Sequence, residues 1–485
     1  STLMRSSAAS DVYKRQTQKL ALGRINSLLD DSSFVEIGAL VKARSTDFNM
    51  TDIDTPADGV ITGYGTINGS LVYVYSQDSS VLGGSVGEMH AKKIVNIYDM
   101  ALNMGAPVIG LIDCAGLRLQ EATDALNAFG EIYLKQTQAS GVIPQITAIF
   151  GTCGGGLALV PSLTDFTFME EKNGKLFVNS PNAIEGNKTE NTAAADFQAE
   201  QAGIVDFTGD ETSILAGIRD LVSVLPANYE DENVTDCTDD LNRVCENLAA
   251  EAADPAYAAA SIADDNVFIE TKKSFAKEMV TGFIKLNGAT VGVVANRTAR
   301  FEDGAVAEEF DNVLTTGGSY KAAEFVNFCD AFEIPVLTFT NVKGFAATMA
   351  GERTVSKAAA KLTYAFASAS VPKVNVIIGE AFGSAYAVMN SKALGADVTY
   401  AWPQASIGMM NAESAAKIMY ADKPELLAEK AAEYAALQNN VVSAAQRGYV
   451  DSIIDPEQTR KYVVAAFEML YSKKAGIIDK KHGTV

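Results

Sequence analysis

The chain reads GAPVIGLIDCAG at residues 105–116 and SGVIPQITAIFGTCGGG at residues 140–156. Both are apolar, strand-like runs that end in a turn of small residues, Ala115-Gly116 in one and Gly154-Gly155-Gly156 in the other. Such turns let a ligand come close to bare backbone N–H groups. Two N–H groups aimed at one point form an oxyanion hole, which stabilises negative charge developing on a carbonyl oxygen.

The same pair returns later in the chain. A displacement of 228 residues carries Pro107 to Pro335, Gly116 to Gly344, Pro144 to Pro372 and Gly155 to Gly383. EIPVLTFTNVKG (residues 333–344) thus answers the first run, and SVPKVNVIIGEAFGSA (residues 370–385) answers the second. A register held over so many positions marks an internal duplication, so two homologous domains are expected, each with one pair of turns.

Working outward, ITGYGTINGSLVYVYSQD (residues 61–78) is a hairpin turning at Asn68-Gly69, and its twin at residues 280–297 turns at Asn287-Gly288. Phe34 and Glu36 repeat as Phe268 and Glu270, a displacement of 234, whereas Thr62 to Thr281 is 219. The difference places about fifteen extra residues within 40–59, a loop peculiar to the first domain. Residues 83–105 read as a Gly-rich turn and an amphipathic helix, with Ile94, Ile97, Tyr98 and Ala101 inward and Lys93, Asn96 and Asn103 outward. Residues 315–335 are its mate. The helix at 117–136 is answered by 350–370, and the end of the chain reads as helical apart from breaks at Pro424 and Asp455-Pro456. Strands alternating with helices give an α/β class, and the repeated strand–strand–helix units suggest the crotonase spiral. Residues 1–16 carry no periodic pattern and are read as an extension. The expected domains are 17–225 and 261–485, joined by an unrepeated acidic and alanine-rich connection at 226–260.

Composition excludes several functions. Of 485 residues, 48% are hydrophobic, which is ample for ordinary cores. The 39 basic and 60 acidic residues give a charge of −21, a surface that repels nucleic acid and anionic lipid. No apolar stretch approaches the ~20 residues of a membrane span, and no h-region marks a signal peptide. Five cysteines without a C-x-x-C pair read as reduced cytoplasmic thiols. With only His90 and His482 present, a Ser-His-Asp triad or a multi-histidine metal centre is set aside, and no metal is expected.

The turns therefore carry the chemistry. Gly154-Gly155-Gly156 precedes a helix start, where N–H groups lack intrahelical partners and meet the positive end of the dipole. Glycine there also permits close helix–strand packing, but two matched copies, each with a second small turn on the previous strand, favour function. Ala115, Gly116, Gly154, Gly155 and Gly156 are the candidate catalytic donors of the first domain, and Gly344, Gly383, Ser384 and Ala385 those of the second. Each donor contributes about 3 kcal/mol on a developing oxyanion. Ser384 lacks a histidine to activate it, and Cys114 and Cys153 read as buried spectators. His90 fits a satisfied core position better than a general base. Glu88 and Glu121 are either the acid and base of a hydratase or plain helix-surface residues. Arg118 is placed to meet a phosphate or carboxylate, or to form a structural ion pair.

Several long segments in order, among them GGSVGEMHAKK, DCAGLRLQE, SGVIPQITAIFGTCGGG, VTGFIKLNGATVGVVANR, FCDAFEIPVLTF and AAQRGYVDSIIDPEQTR, resemble the biotin-dependent acyl-CoA carboxyltransferase family. Its members include the β subunit of propionyl-CoA carboxylase and the α subunit of methylmalonyl-CoA decarboxylase. The similarity runs from Leu22 to about Leu470. It implies two tandem crotonase-like domains, a homohexamer, and a site between the first domain of one subunit and the second of another. Acyl-CoA would lie on the first domain, with Gly84, Ser85 and Arg118 as substrate-binding residues. Biotin would lie on the second, with Phe345, Phe382 and Tyr386 as cofactor-binding residues. Asn341-Val342-Lys343-Gly344-Phe345 stands where the family usually has Asp-Val-Pro-Gly-Phe, Gly383-Ser384-Ala385 where it has Gly-Gly-Ala, and Ala387 where it has an acid.

The resemblance thus implies a cytoplasmic subunit that moves CO2 between carboxybiotin and a short acyl-CoA of the acetyl-, propionyl- or methylmalonyl class. The chain holds no Met-Lys-Met biotinylation site, so biotin is expected on a separate carrier. A biotin carboxylase, or membrane-bound decarboxylase subunits to which this chain would be peripheral, are the further partners. The alternatives are an enoyl-CoA hydratase or isomerase using Glu88 and Glu121, and a non-catalytic scaffold.

Overall fold

The computed structural model describes residues 20–187 and 191–476; the extension at 1–16 and His482 lie outside the described residues. Two compact units divide between Asp231 and Glu232. Each is built on one eight-stranded sheet with the same strand order. In the first unit the order across the sheet is Val35–Ile37, Val60–Ile67, Ser70–Gln77, Val108–Cys114, Gln145–Gly154, Phe166–Glu170 and Phe207–Gly209. In the second it is Ile269–Thr271, Met279–Leu286, Ala289–Asn296, Val336–Val342, Lys373–Phe382, Val398–Ala401 and Ser452–Ile453. The first three strands of each set pair antiparallel and the rest parallel.

The long fifth strand does two jobs in each unit. Ile146–Ile149 pair with Phe166–Met169, but farther along Thr152–Gly154 pair with the short strand Lys175–Phe177. Likewise Val374–Ile377 pair with Val398–Ala401, and Glu380–Phe382 with Ser406–Gly408. The switch coincides with a break in register against the preceding strand, between Ile112 and Cys114 in one unit and Thr340 and Val342 in the other. Both small-residue turns of each unit lie beyond that break. Buried apolar side chains cover the sheets: helix Glu88–Met104 contributes Ala91, Ile94, Ile97, Tyr98 and Ala101, and Phe339, Val374, Val376 and Trp402 centre the second core.

Three details differ from expectation. Lys93 is buried, because carbonyls from the inserted loop and the strand after it cage its ammonium: Nζ donates to Ala57 O at 2.9 Å and Val60 O at 2.5 Å. Burial holds its pKa down at about 8. Its repeat mate Lys321 is caged the same way by the carbonyls of Lys272, Phe275 and Ala276. The stretch at 226–260 is largely part of the second unit rather than a free connection, since helices Leu248–Glu251 and Pro255–Ile262 bury Leu248, Ala258, Ala259 and Ile262 in that core. The chain end also includes a short strand, Ser452–Ile453, on the sheet edge.

The hairpins show the duplication at side-chain level. Asn68 and Gly69 take φ of 50° and 81°, Asn287 and Gly288 of 51° and 76°, the twisted turn that matches strand twist. Asp30 accepts the N–H groups of Asn68 and Gly69 at 3.0 and 2.9 Å and pairs with Arg219 at 2.9 Å. Asp264 treats Asn287 and Gly288 likewise at 3.2 and 2.8 Å and pairs with Arg460 at 2.8 Å. The Gly69 N–H, then Arg219, holds the Asp30 carboxyl well below the usual range. A carboxyl with a depressed folded pKa contributes stability above its unfolded pKa and loses it as pH falls through the folded value. Asp30→Asn should therefore lower the unfolding free energy by about 1 kcal/mol at pH 7, since the site is partly open to solvent. The gap from the parent should narrow in urea titrations below about pH 3.

Candidate active site

The register break brings the two turns of each unit side by side. Cys114 pairs with Cys153, and Val342 with Ala381, so Ala115-Gly116 emerges next to Gly154-Gly155-Gly156 and Lys343-Gly344 next to Gly383-Ser384. Gly155 and Gly383 hold matching left-handed φ of 65° and 63°, a conformation costly for any side chain with a Cβ. Gly155 and Gly156 are the first residues of the one-turn helix Gly155–Leu159, and Gly383 and Ser384 those of helix Gly383–Val388. N–H groups at helix starts have no intrahelical acceptor. A Cβ added at Gly155 or Gly344 would meet nothing within 4 Å, and one at Gly383 only Met409 O at 3.1 Å. Open space therefore lies over both turn pairs.

The candidate donors are not equivalent. The Ala115 N–H is already given to Gly83 O at 3.0 Å, and the Lys343 N–H to Asn312 O at 2.9 Å. The following glycine is the better donor: the Gly116 N–H, at a φ of 113°, has only the weak acceptor Cys114 Sγ at 3.3 Å. Gly154 is the last residue of its strand and pairs with Phe177. Gly156 O accepts the Tyr133 hydroxyl. Ser384 is exposed and Ala385 buried. Gly344 and Phe345 pair with Val313 and Leu314. Phe382 is buried opposite Gly408, and burial pushes the nearby Tyr386 phenol up to about 12.

Beside Phe382 the second unit opens a cleft of about 690 Å³. Its wall carries the carboxylates of Glu380 and Glu413 and the polar side chains of Ser406, Asn411, Asn439 and Asn440, with no basic residue. Part of the wall, Ala435–Asn439, is a π-helical turn, a form found often at functional sites.

Arg118 is wholly buried. Its Nη1 meets Asp58 at 2.5 Å and Glu121 at 2.8 Å, its Nη2 donates to Ser85 O at 2.9 Å, and its Nε reaches Ser85 Oγ at 3.4 Å. It is thus an internal clamp on Gly84-Ser85 and leaves no guanidinium face for a phosphate. Asp58 comes from the inserted loop; burial pushes its carboxyl up, against the opposing pull of Arg118. His90 is buried on the same cluster, its Nδ1 by Asp58 O at 3.0 Å and its Nε2 by Gln77 Nε2 at 3.2 Å. Burial, then Arg118 and Lys93, holds its pKa well below the ordinary value. Glu121 also accepts the Glu88 N–H at 2.6 Å, and Glu88 pairs with Lys92 at 2.5 Å and with Arg44. Neither carboxylate is left over for acid–base work. Burial pushes the Cys114 thiol up to about 12 and holds that of Cys153 well above its ordinary value, which keeps both inert. Sequence reasoning missed Asp58 and Gln77, and it read Asn341 only as a departure from the family pattern, without its matched position Asp113. The last two occupy matched positions at the register breaks, so the duplication was the signal that could have found them.

Among the described residues no cluster of His, Cys, Asp and Glu could hold a metal ion, and no helix is long and apolar enough to cross a membrane. The family described as carboxyl transferase domain matches residues 13–485. The propionyl-CoA carboxylase beta chain of Roseobacter denitrificans is 41% identical over 480 residues, covering 95% of this chain and 92% of its own. The methylmalonyl-CoA decarboxylase subunit alpha of Veillonella parvula is 38% identical over 485 residues, covering 97% and 93%. Among solved structures, the transcarboxylase 12S hexamer with hydrolysed methylmalonyl-coenzyme A bound superposes with a TM-score of 0.90 at 35% identity, covering 99% of this chain and 98% of that one.

Replacing Arg118 by Met should leave Asp58 and Glu121 buried without their counter-charge. A loss of about 3–5 kcal/mol in unfolding free energy is expected by denaturant titration.

Proposed function

The chain belongs to the carboxyl transferase domain family and has its two crotonase-like domains; from that premise we propose how its two turn pairs divide the reaction between them. It is a biotin-dependent acyl-CoA carboxyltransferase. Its substrate is of the propionyl- and methylmalonyl-CoA class, as the names of its relatives suggest. The first unit takes the thioester and the second takes biotin, which arrives on a separate carrier in an assembly hexameric like transcarboxylase 12S.

The carrying observation is the pair of open, glycine-built N–H turns repeated at one register in both units. In the first unit the N–H groups of Gly116, Gly155 and Gly156 donate to the thioester oxygen as the α-carbon loses its proton and charge moves onto that oxygen. The second unit offers the N–H groups of Gly383 and Ser384 to the ureido oxygen, in the same role. When bound, biotin supplies the ureido nitrogen that carries the carboxyl group and takes up the α-proton in exchange. The protein then needs no side-chain base, which agrees with His90 and Glu121 being sequestered in the core. Space over Gly344 and Gly383 and a cleft lined by carboxylates without a basic residue suit an uncharged ureide better than a polyphosphate. The tethering of Glu88 and Glu121 weighs against a hydratase.

Purified protein mixed with methylmalonyl-CoA and a biotinylated carrier domain should yield propionyl-CoA and carboxylated carrier, and avidin should abolish the turnover. Avidin-insensitive product, or hydration of an enoyl-CoA, would sink the reading. Gly155→Val places a branched side chain at a φ of 65° but in open space. The variant should fold with a penalty of about 1–2 kcal/mol and lose activity about 100-fold.

A further inference from the structure

Both turn pairs grow from one defect in the parallel ladder. In the second unit Thr340 pairs with Ile377 and Val342 with Ala381, so residues 378–380 on one strand face the single Asn341 on the other. Backbone groups cannot bond across such a bulge in ladder fashion. Asn341 closes it with its side chain: Oδ1 accepts the Glu380 N–H at 3.0 Å and an Asn312 Nδ2 hydrogen at 3.2 Å. The second hydrogen of Asn312 Nδ2 goes to Glu380 Oε2 at 2.8 Å. The Asn341 N–H donates to Asn296 Oδ1 at 2.9 Å, so three adjacent strands and one loop meet at this residue. Gly379 makes room for it, since a Cβ there would lie 2.6 Å from Asn341 Oδ1.

The position of this junction gives it a consequence. Gly344 lies three residues beyond Asn341 in the chain, and Gly383 three residues beyond Glu380, each just past the end of its strand. One side-chain hydrogen bond therefore ties the two segments at equal distance from their turns. We propose that Asn341 is a positioning residue that sets the separation of the Gly344 and Gly383-Ser384 turns. At the matched position of the first unit the Asp113 N–H donates to Gln77 Oε1 at 3.2 Å and its carboxylate stands over Gly151, so the backbone half of the arrangement recurs there. Asn341 touches no reacting atom; it acts by holding donors in place.

The proposal rests on the carboxyl-transfer reading, and two measurements on the intact protein keep the two apart. With methylmalonyl-CoA and the biotinylated carrier, Asn341→Ala should lower kcat at least tenfold while KM for the CoA thioester stays within twofold. Asn341→Asp keeps an oxygen to accept the Glu380 N–H; it should return kcat to within threefold of the parent. Hydrogen exchange read by mass spectrometry over residues 342–346 and 381–386 requires no turnover. It should accelerate in Asn341→Ala and revert in Asn341→Asp. Parent-like kcat, or unchanged exchange in both segments, overturns the positioning role. An inactive parent protein removes the carboxyl-transfer reading and leaves exchange to decide the placement. Should Asn341→Ala not fold, Asn312→Ala takes its place, with a loss of about threefold in kcat at constant KM expected and no loss overturning the proposal.

Discussion

A ladder of parallel strands consumes backbone N–H groups in pairing, whereas an oxyanion hole needs two of them free, adjacent and pointing together. Both units meet this conflict by letting the ladder fail at a set place. Past Ile112 and Thr340 the pairing slips. The fifth strand then changes partner to Lys175–Phe177 or Ser406–Gly408. Beyond the slip each strand enters a turn, and glycine at Gly155 and Gly383 accepts the left-handed φ that aims the next N–H groups outward. Fold and chemistry share this one irregularity, which is why it survives at the same register in both halves.

The two units brace the irregularity differently. The first relies on charge buried among its own loops: Arg118 pairs with Asp58, carried in by the inserted segment, and with Glu121, and it also grips the Ser85 carbonyl. At the position answering Arg118 the second unit has Ala346, and it has no counterpart of the inserted loop. There the bracing is done by neutral amides, Asn296, Asn312 and Asn341. A buried ion cluster is stiff but fails badly when one member is lost; an amide network carries no net charge into the strand exits. The amide junction lies beside the cleft assigned to biotin, and through Asn312 it also holds Glu380, one of the two carboxylates of that wall.

Much of this was legible in the residues. The displacement of 228 fixed which strands answer each other, and the pairings Cys114 with Cys153 and Val342 with Ala381 reproduce it. The Asn-Gly hairpins needed no more than local turn chemistry. What could not be read were interactions spanning long loops. Lys93 looked outward because helical periodicity says nothing of a loop that arrives to cap it with Ala57 O and Val60 O. Arg118 was open between ligand and ion pair because its partner Asp58 lies 60 residues away in an unrepeated insertion. Ala115 looked as good a donor as Gly116 until the loop at Gly83 was seen to take its N–H.

The scarcity of histidine acquires its meaning from this geometry. An enzyme that abstracts a proton with a side chain must keep that side chain exposed and near neutrality. Here His90 is walled in with a depressed pKa, both thiols are pushed far above neutrality, and Glu121 is bonded to Arg118 and to a backbone N–H. These titratable groups close behind the first turn pair are part of the scaffold. What remains exposed there is main chain, which can stabilise a negative oxygen but cannot take a proton. Such a surface is competent only when the reacting partner brings its own base, and a carboxylated ureide that surrenders its carboxyl group becomes one at the moment it is needed.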